Sequence, residues 1–280
     1  MNWSSDEDTL LRELYPTTSV TGLLPKFPDR TRDSLKHRAR VLGIQGLSRS
    51  ARRRKFSFKE GAFSEVTAEA AYWAGFIAAD GCVSRASTTS GGHRKATTLV
   101  VVLHREDEDH LTKLNSFLGN ERPVSRHISN GRPQSRIQVY GCDGLLDDLE
   151  RHYNITPAKS LTLKPPNLKE HALPFLIGLF DGDGSAITYN HANGRVEHCV
   201  QWVGTQLICE WVKSHIDELV PPTRKPTKIY NTDGSRPDKS KLFRVGGERG
   251  HQILRCLSEF DLPHMGRKLG RFKQYFDREV

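Results

Sequence analysis

Asp80 and Asp183 carry the most specific chemical signal in this sequence, because each is the last acid of an apolar stretch ending in Asp-Gly. The stretches run from Trp73 to Gly81 (WAGFIAADG) and from Leu176 to Gly184 (LIGLFDGDG), and their final glycines lie 103 positions apart. Small residues recur every fourth position: Ala71, Gly75 and Ala79 in the first copy, Gly178 and Gly182 in the second. On a helix such residues share one face, and a stripe of Gly and Ala lets two helix backbones approach closely. Gly81 and Gly184 then supply the C′ residue that ends each helix, so both aspartates fall in a last turn. A carboxylate there opposes the helix dipole. Parallel packing of the two helices would also bring the carboxylates together, where like charges resist joint ionisation. A hard divalent cation with oxygen ligands, Mg²⁺ or Mn²⁺, is the simplest partner for the pair.

These two stretches resemble the paired motifs of single-chain LAGLIDADG homing endonucleases, whose motif helices form the interface between pseudo-symmetric halves. The resemblance places the metal-binding acid, the eighth motif position, at Asp80 and Asp183, and the expected metal site takes in their neighbours Gly81 and Gly184. The sixth position is acidic only in the second copy, Asp181, and is Ala78 in the first. Residues two apart on a helix point about 200° apart, so we expect Asp181 to face away from the metal. The segments ITPAKSL and MGRKLGRF, which carry Lys159 and Lys268, are similar to the segments that close each half in that family. These lysines are placed near phosphates on one reading and in packing or surface roles on the other.

The elements needed to position such a site are legible along the chain. From Val66 each half reads as helix, two strands, helix, two strands, helix, an α+β fold of two pseudo-symmetric halves covering 65–165 and 166–280. In the first half the strands are expected near Cys82 to Ser87, Thr97 to Leu103, Val124 to Ile128 and Arg136 to Tyr140. In the second they are expected near Ser185 to Tyr189, Val196 to Val203, Thr227 to Tyr230 and Leu242 to Val245, the last two around a turn at Asp233-Gly234. A helix from His251 to Phe260 closes the chain's regular structure. Arg136, Gln138 and Tyr140 alternate with Ile137 and Val139, which gives a sheet one polar face. Arg and Gln can read guanine and adenine edges bidentately, so Arg136, Gln138 and Arg244 are candidate DNA contacts, although any antiparallel sheet with one wet face shows this alternation.

A small three-helix bundle precedes the halves. Ser4 with Glu7 is a capping-box pattern, a short helix follows up to Pro25, and a third spans Thr31 to Gly43 with Leu35, Ala39 and Leu42 inward. Arg32, Lys36, Arg38 and Arg40 are expected outward. Residues 1–45 resemble a single Myb/SANT-like helix-turn-helix repeat, with Trp3 its one core tryptophan, and the third helix would enter the major groove. A solvated basic face on an accessory bundle is the alternative. A basic linker, 46–64, carries Arg49, Arg52, Arg53, Arg54, Lys55 and Lys59. Residues 1–64 hold 13 basic and 7 acidic side chains, two thirds of the chain's net charge of +9, and a run of this kind between two DNA-binding units follows phosphates.

Composition agrees with a polyanionic partner: 42 Lys plus Arg stand against 33 Asp plus Glu. Five cysteines form no CxxC pair and leave an odd one, as expected of reduced intracellular thiols. No signal-peptide pattern opens the sequence, and no apolar run reaches the ~20 residues of a membrane span. A soluble intracellular protein is therefore expected. Walker A, nucleophile-elbow and dinucleotide patterns are missing from the sequence, which leaves the paired acids as the chemistry. The expectation is a monomeric, divalent-metal-dependent endonuclease that cuts both strands of a long, non-palindromic DNA site. Short 3′ overhangs are what the resemblance implies. A non-cleaving DNA-binding protein, either a transcription regulator or an intron maturase on the same scaffold, is the alternative.

Overall fold

The computed structural model describes residues 3–18, 20–46, 55–88, 90, 92, 94–190, 192–194, 196–222, 226–232 and 240–268. They belong to two compact units, 1–55 and 56–280. In the first unit Ser4 opens α1 (Ser5–Leu14) with the expected capping box: Glu7 N–H donates to Ser4 Oγ (3.1 Å) and Ser4 N–H to Glu7 Oε2 (2.8 Å). The second helix, α2 (Val20–Leu23), does not stop at Pro25 but passes into a 3₁₀ turn, Leu24–Lys26, where a proline near the start loses no helical hydrogen bond. Thr31 then caps α3 (Arg32–Val41), and Gly43 leaves it with φ 67°. Leu11, Leu23, Phe27, Leu35 and Ala39 form the core. Trp3 packs beneath Arg30, whose guanidinium carbon lies 4.4 Å from the ring centroid. Arg30 also donates to both carboxylate oxygens of Glu7 (2.7 and 2.8 Å).

Residues 56–64, expected as linker, belong to the larger unit. Phe63 is fully buried against Phe117 and Tyr153, and Lys59 N–H donates to the Leu118 carbonyl (2.8 Å). The basic run therefore ends at an apolar anchor, and the burial of one phenylalanine outweighs the solvation preference of its neighbours.

The first half then runs α4 (Ala68–Asp80), β1 (Gly81–Ser84), a small added hairpin of β2 (Ser87–Thr88) and β3 (Arg94–Lys95), β4 (Thr98–His104), α5 (Glu108–Phe117), β5 (Ser125–Ser129), β6 (Arg132–Tyr140) and α6 (Asp143–Tyr153). The second runs α7 (Ala172–Asp183), β7 (Ser185–Asn190), β8 (Val196–Gly204), α8 (Gln206–Leu219), β9 (Ile229–Asn231), β10 (Lys241–Gly246) and α9 (Gly247–Ser258). The sheets have matching antiparallel orders, β1-β4-β6-β5 and β7-β8-β10-β9. β6 starts four residues before expected because Asn130 and Gly131, both at positive φ (50° and 73°), make a tight hairpin. α9 also starts early, since Gly247 at φ 65° turns the chain from β10 straight into helix. The expected turn at Asp233-Gly234 lies outside the described residues.

Alternation assigns the sheet faces. Leu99, Val101, Ile137 and Val139 point inward in the first sheet and Val200, Trp202, Phe243 and Val245 in the second, all in the core shared with α4 and α7. Among the described residues no helix is long and apolar enough to cross a membrane.

Candidate active site at the paired helix ends

Close contact between α4 and α7 sets the geometry of the site. A Cβ at Gly75 would stand 2.0 Å from the Phe175 carbonyl oxygen, and one at Gly178 would stand 1.9 Å from that of Tyr72. Those two contacts are related by the 103-residue repeat, so the helices meet about a pseudo-twofold. Toward their C-terminal ends a Cβ at Gly182 would fall 2.2 Å from the Ala79 Cβ and 3.3 Å from Asp80 Oδ2. The helices run parallel, and both end at their aspartates, Asp80 and Asp183.

The glycines that follow are caps, though not in the left-handed conformation common at that position. Gly81 (φ −78°, ψ 140°) and Gly184 (φ −78°, ψ 161°) are extended and lead directly into the first strand of each half. Glycine is needed here for space. A Cβ at 81 would lie 2.6 Å from the Ile77 oxygen, and one at 184 would lie 2.3 Å from a ring carbon of Phe180.

The expected electrostatic conflict is present. Burial, and then the charge of Asp183, pushes the Asp80 carboxyl up to about 6, with Lys268 and Lys159 acting the other way. Burial also raises Asp183, against Lys159 and Lys268. These two lysines are positive groups that the chain itself supplies to the pair. Lys268 Nζ donates to the carbonyls of Phe180 (2.9 Å), Gly182 (2.7 Å) and Gly184 (2.7 Å), which covers the negative end of α7. Lys159 Nζ makes one long bond, 3.4 Å, to the Ala79 carbonyl at the end of α4. Burial lowers both amines, Lys268 to about 8. The helix ends are thus partly neutralised by the protein itself.

Asp181 borders the same cavity as the pair, which the two-residue spacing alone did not lead us to expect. Its carboxylate is nevertheless committed to buried partners: Oδ2 accepts from Tyr72 Oη (2.6 Å) and from the Met265 N–H (2.9 Å). Tyr72 Oη is also 3.2 Å from His110 Nε2. Burial raises the Asp181 pKa, opposed first by the Tyr72 bond.

A cavity of about 500 Å³ opens on the pair, lined by Asp80, Asp183, Asp107, His104, Arg267 and Lys268 among others. Among the described residues no cluster of three or more His, Cys, Asp or Glu is placed to hold a metal. A cation here would take the Asp80 and Asp183 carboxylates and find its remaining ligands in water and phosphate. Mg²⁺ commonly binds in this way, so the donor set fits. The Gly184 carbonyl already accepts from Lys268, and only its second lone pair remains for a metal.

Other candidate residues are dispersed. Arg136 and Gln138 lie on the outer face of β6, between inward Ser135, Ile137 and Val139. Arg244 lies on the outer face of β10, where it donates to Gln201 Oε1 (3.1 Å) and sits 5.0 Å from the Tyr189 ring centroid. Arg32, Lys36 and Arg40 are exposed on α3, and Lys55 is exposed near the end of the first unit. Arg38, expected outward with them, is instead half-buried in an ion pair with Asp8 and close to the Trp3 ring. Arg52, Arg53 and Arg54 lie outside the described residues. Sequence reasoning missed Asp107 and Arg267, although Arg267 stands directly before Lys268 in the MGRKLGRF segment.

No family model matches the sequence, and no curated protein does. Solved structures match the fold. I-LtrWI, a LAGLIDADG homing endonuclease bound to target DNA, aligns with a TM-score of 0.52 at 12% identity, over 78% of this chain and 91% of its own. The meganuclease I-SmaMI, bound to uncleavable DNA, aligns with a TM-score of 0.52 at 15% identity over 74% and 88%. The LAGLIDADG meganuclease I-AabMI, bound to uncleaved DNA, gives 0.50 at 12% over 76% and 91%. With its two four-stranded antiparallel sheets and paired central helices, this chain has the two-domain fold of the LAGLIDADG homing endonucleases.

Proposed function

We propose that the chain is a site-specific double-strand DNA endonuclease that requires a divalent cation, with Asp80 and Asp183 as the acids that hold it. The observation that supports this most is the pair of carboxylates at the ends of repeat-related helices, where a lysine also reaches the last carbonyls of each helix, Lys159 that of Ala79 and Lys268 those of Phe180 and Gly182. Close packing of the helices needs the glycines and alanines, but gives no reason for an acid at both ends. The three solved structures compared above are DNA complexes, and the polar outer strand at Arg136 and Gln138 suits base edges in a major groove. A bound cation supplies activation of water and charge neutralisation on the departing oxygen. The protein's part is to hold both carboxylates at the end of a helix pair that cannot spread, with Lys159 and Lys268 limiting their repulsion. Short 3′ overhangs follow from the family likeness.

Incubation with a randomised duplex library and Mg²⁺, followed by sequencing of the new ends, tests the reading. We expect cuts on both strands at one long, asymmetric site, because the outer positions of the halves differ: Arg136 and Gln138 on β6, Leu242 and Arg244 on β10. Selection of palindromes, or a dimer on DNA by sedimentation, would contradict the monomer reading. One observation favours the alternative of a non-cleaving regulator or maturase. Lys268 spends three bonds on carbonyls at the end of α7 and its cap, a structural task that a scaffold without catalysis would also need. Tight binding with no strand breaks at any Mg²⁺ or Mn²⁺ concentration would decide for it.

We also propose that the first unit adds DNA contacts through Arg32, Lys36 and Arg40 on α3 and through the basic run from Arg52 to Lys55. The Myb/SANT-like reading belongs to this proposal. Deleting the residues before Phe56 should leave the larger unit folded, since its core includes Ala62 and Phe63 but nothing earlier than Phe56. DNA binding should weaken, and its salt dependence should flatten by roughly one unit of log-log slope for every phosphate that the shortened protein no longer neutralises. Unchanged affinity and slope would remove the front unit from DNA binding.

A further inference from the structure

One ionic contact beside the paired aspartates has no counterpart in the other half. Arg267 Nε and Nη2 donate to Asp107 Oδ1 (3.0 Å) and Oδ2 (3.1 Å), and both residues line the cavity that opens on Asp80 and Asp183. Asp107 is buried, whereas Arg267 keeps 45% of its side chain exposed. The bidentate pairing uses two of the five guanidinium N–H groups and fixes the plane of the others. In the other half the residue before the matching lysine, Lys159, is Ala158, and the cap of α8 that corresponds to Asp107 is Thr205, which donates to the Leu163 carbonyl (2.8 Å). Neither charge is repeated.

We propose that Arg267, oriented by Asp107, binds a backbone phosphate of DNA at one of the two half-sites, and that the two strands are therefore held and cut unequally. The inference rests on the endonuclease reading and extends it. A guanidinium fixed on one edge by a carboxylate presents its other edge with little entropy left to lose, and planar donors of this kind suit phosphate. The rest of the cavity favours an incoming anion less without it: Lys268 is bound to three carbonyls, and the lining also carries the carboxylates of Asp80, Asp181 and Asp183. Asp107 is a positioning residue in this account.

The test uses the full chain and its selected target, labelled on each strand in turn. In wild type one strand should be cut faster. Arg267→Met should slow that strand about tenfold or more relative to the other, so that nicked circles accumulate from a supercoiled plasmid, and Arg267→Lys should restore part of the difference. A second readout needs no cleavage. Replacing the scissile phosphate by a neutral methylphosphonate should weaken binding in EDTA more on one strand than on the other, and this asymmetry should vanish in Arg267→Met and shrink in Asp107→Asn. If Arg267 only ties the C-terminal segment to the first half, both strands will slow by one common factor, and the methylphosphonate effect will stay unequal or will never have been so. Either result overturns the inference while the endonuclease reading stands. A wild-type protein that binds its target without ever cutting it overturns that reading instead, and the methylphosphonate comparison then decides the phosphate contact by itself.

Discussion

Asp80→Asn and Asp183→Asn should each reduce cleavage of at least one strand by at least about a hundredfold, with DNA affinity in EDTA within about twofold of wild type. The amide is nearly isosteric, so the packing of Gly182 against Asp80 survives while the charge that holds a cation disappears. Asp181→Asn is the comparison. Both bonds to Asp181 fall on one oxygen, Oδ2, which an Asn Oδ1 can replace, and cleavage should persist. Wild-type rates in both Asn variants, or loss of activity only in Asp181→Asn, would show that the acids have been wrongly assigned.

Stability should move in the opposite direction to activity. The Asp80 carboxyl titrates at about 6 in the folded protein against an ordinary 3.8, so between these values the folded state holds the proton more tightly than the unfolded chain. This group therefore destabilises the fold progressively as pH rises from about 4 to about 6, and the penalty remains in full above that. A shift of this size corresponds to about 2 kcal/mol after allowance for its partial exposure. Metal-free Asp80→Asn should be more stable than wild type by roughly that amount at pH 8 and by little at pH 4. Urea titrations in EDTA at the two pH values measure it. A variant less stable than wild type at pH 8 would mean that the lysines already overcompensate the pair. Added Mg²⁺ should recover the deficit in wild type but not in the variant.

The largest drop in stability should come from Gly75→Ala or Gly178→Ala. Each added methyl would meet a main-chain carbonyl oxygen at 2.0 or 1.9 Å, and neither atom belongs to a side chain that can rotate away. The helices would have to separate by about an ångström or more along a fully buried interface, at a cost of about 3 kcal/mol or above. Gly144→Ala gives the contrast. It lies in α6 with only Glu60 Oε2 near, at 3.9 Å, and should be neutral or slightly stabilising. Equal melting temperatures for Gly144→Ala and Gly178→Ala would refute the close helix packing. Separation of the helices would also move Asp80 from Asp183, so any Gly178→Ala protein that remains folded should lose cleavage more than binding.

Much of the architecture follows from patterns that act within a few residues. Alternation of Ile137 and Val139 with Arg136 and Gln138 needs only the two-residue period of a strand. The capping box of Ser4 and Glu7 needs only a helix start, and the spacing of Gly75 and Ala79 or Gly178 and Gly182 needs only the helical turn. Repetition of the Asp-Gly motif extended this reach, because two copies of one element imply a pair and hence two aspartates at one end. Tertiary structure decided what depends on the path of the chain between distant segments. Lys268 meets carbonyls more than 80 positions earlier, Arg267 meets Asp107 at a separation of 160, and Arg38 turns to Asp8 across 30. No local period encodes such meetings, since an exposed and a committed arginine have the same chemistry in sequence. Phe63 hides among basic residues for the same reason, and the need for glycine at 81 and 184, where the backbone is extended, became evident only once Ile77 and Phe180 were seen to leave no room for a Cβ.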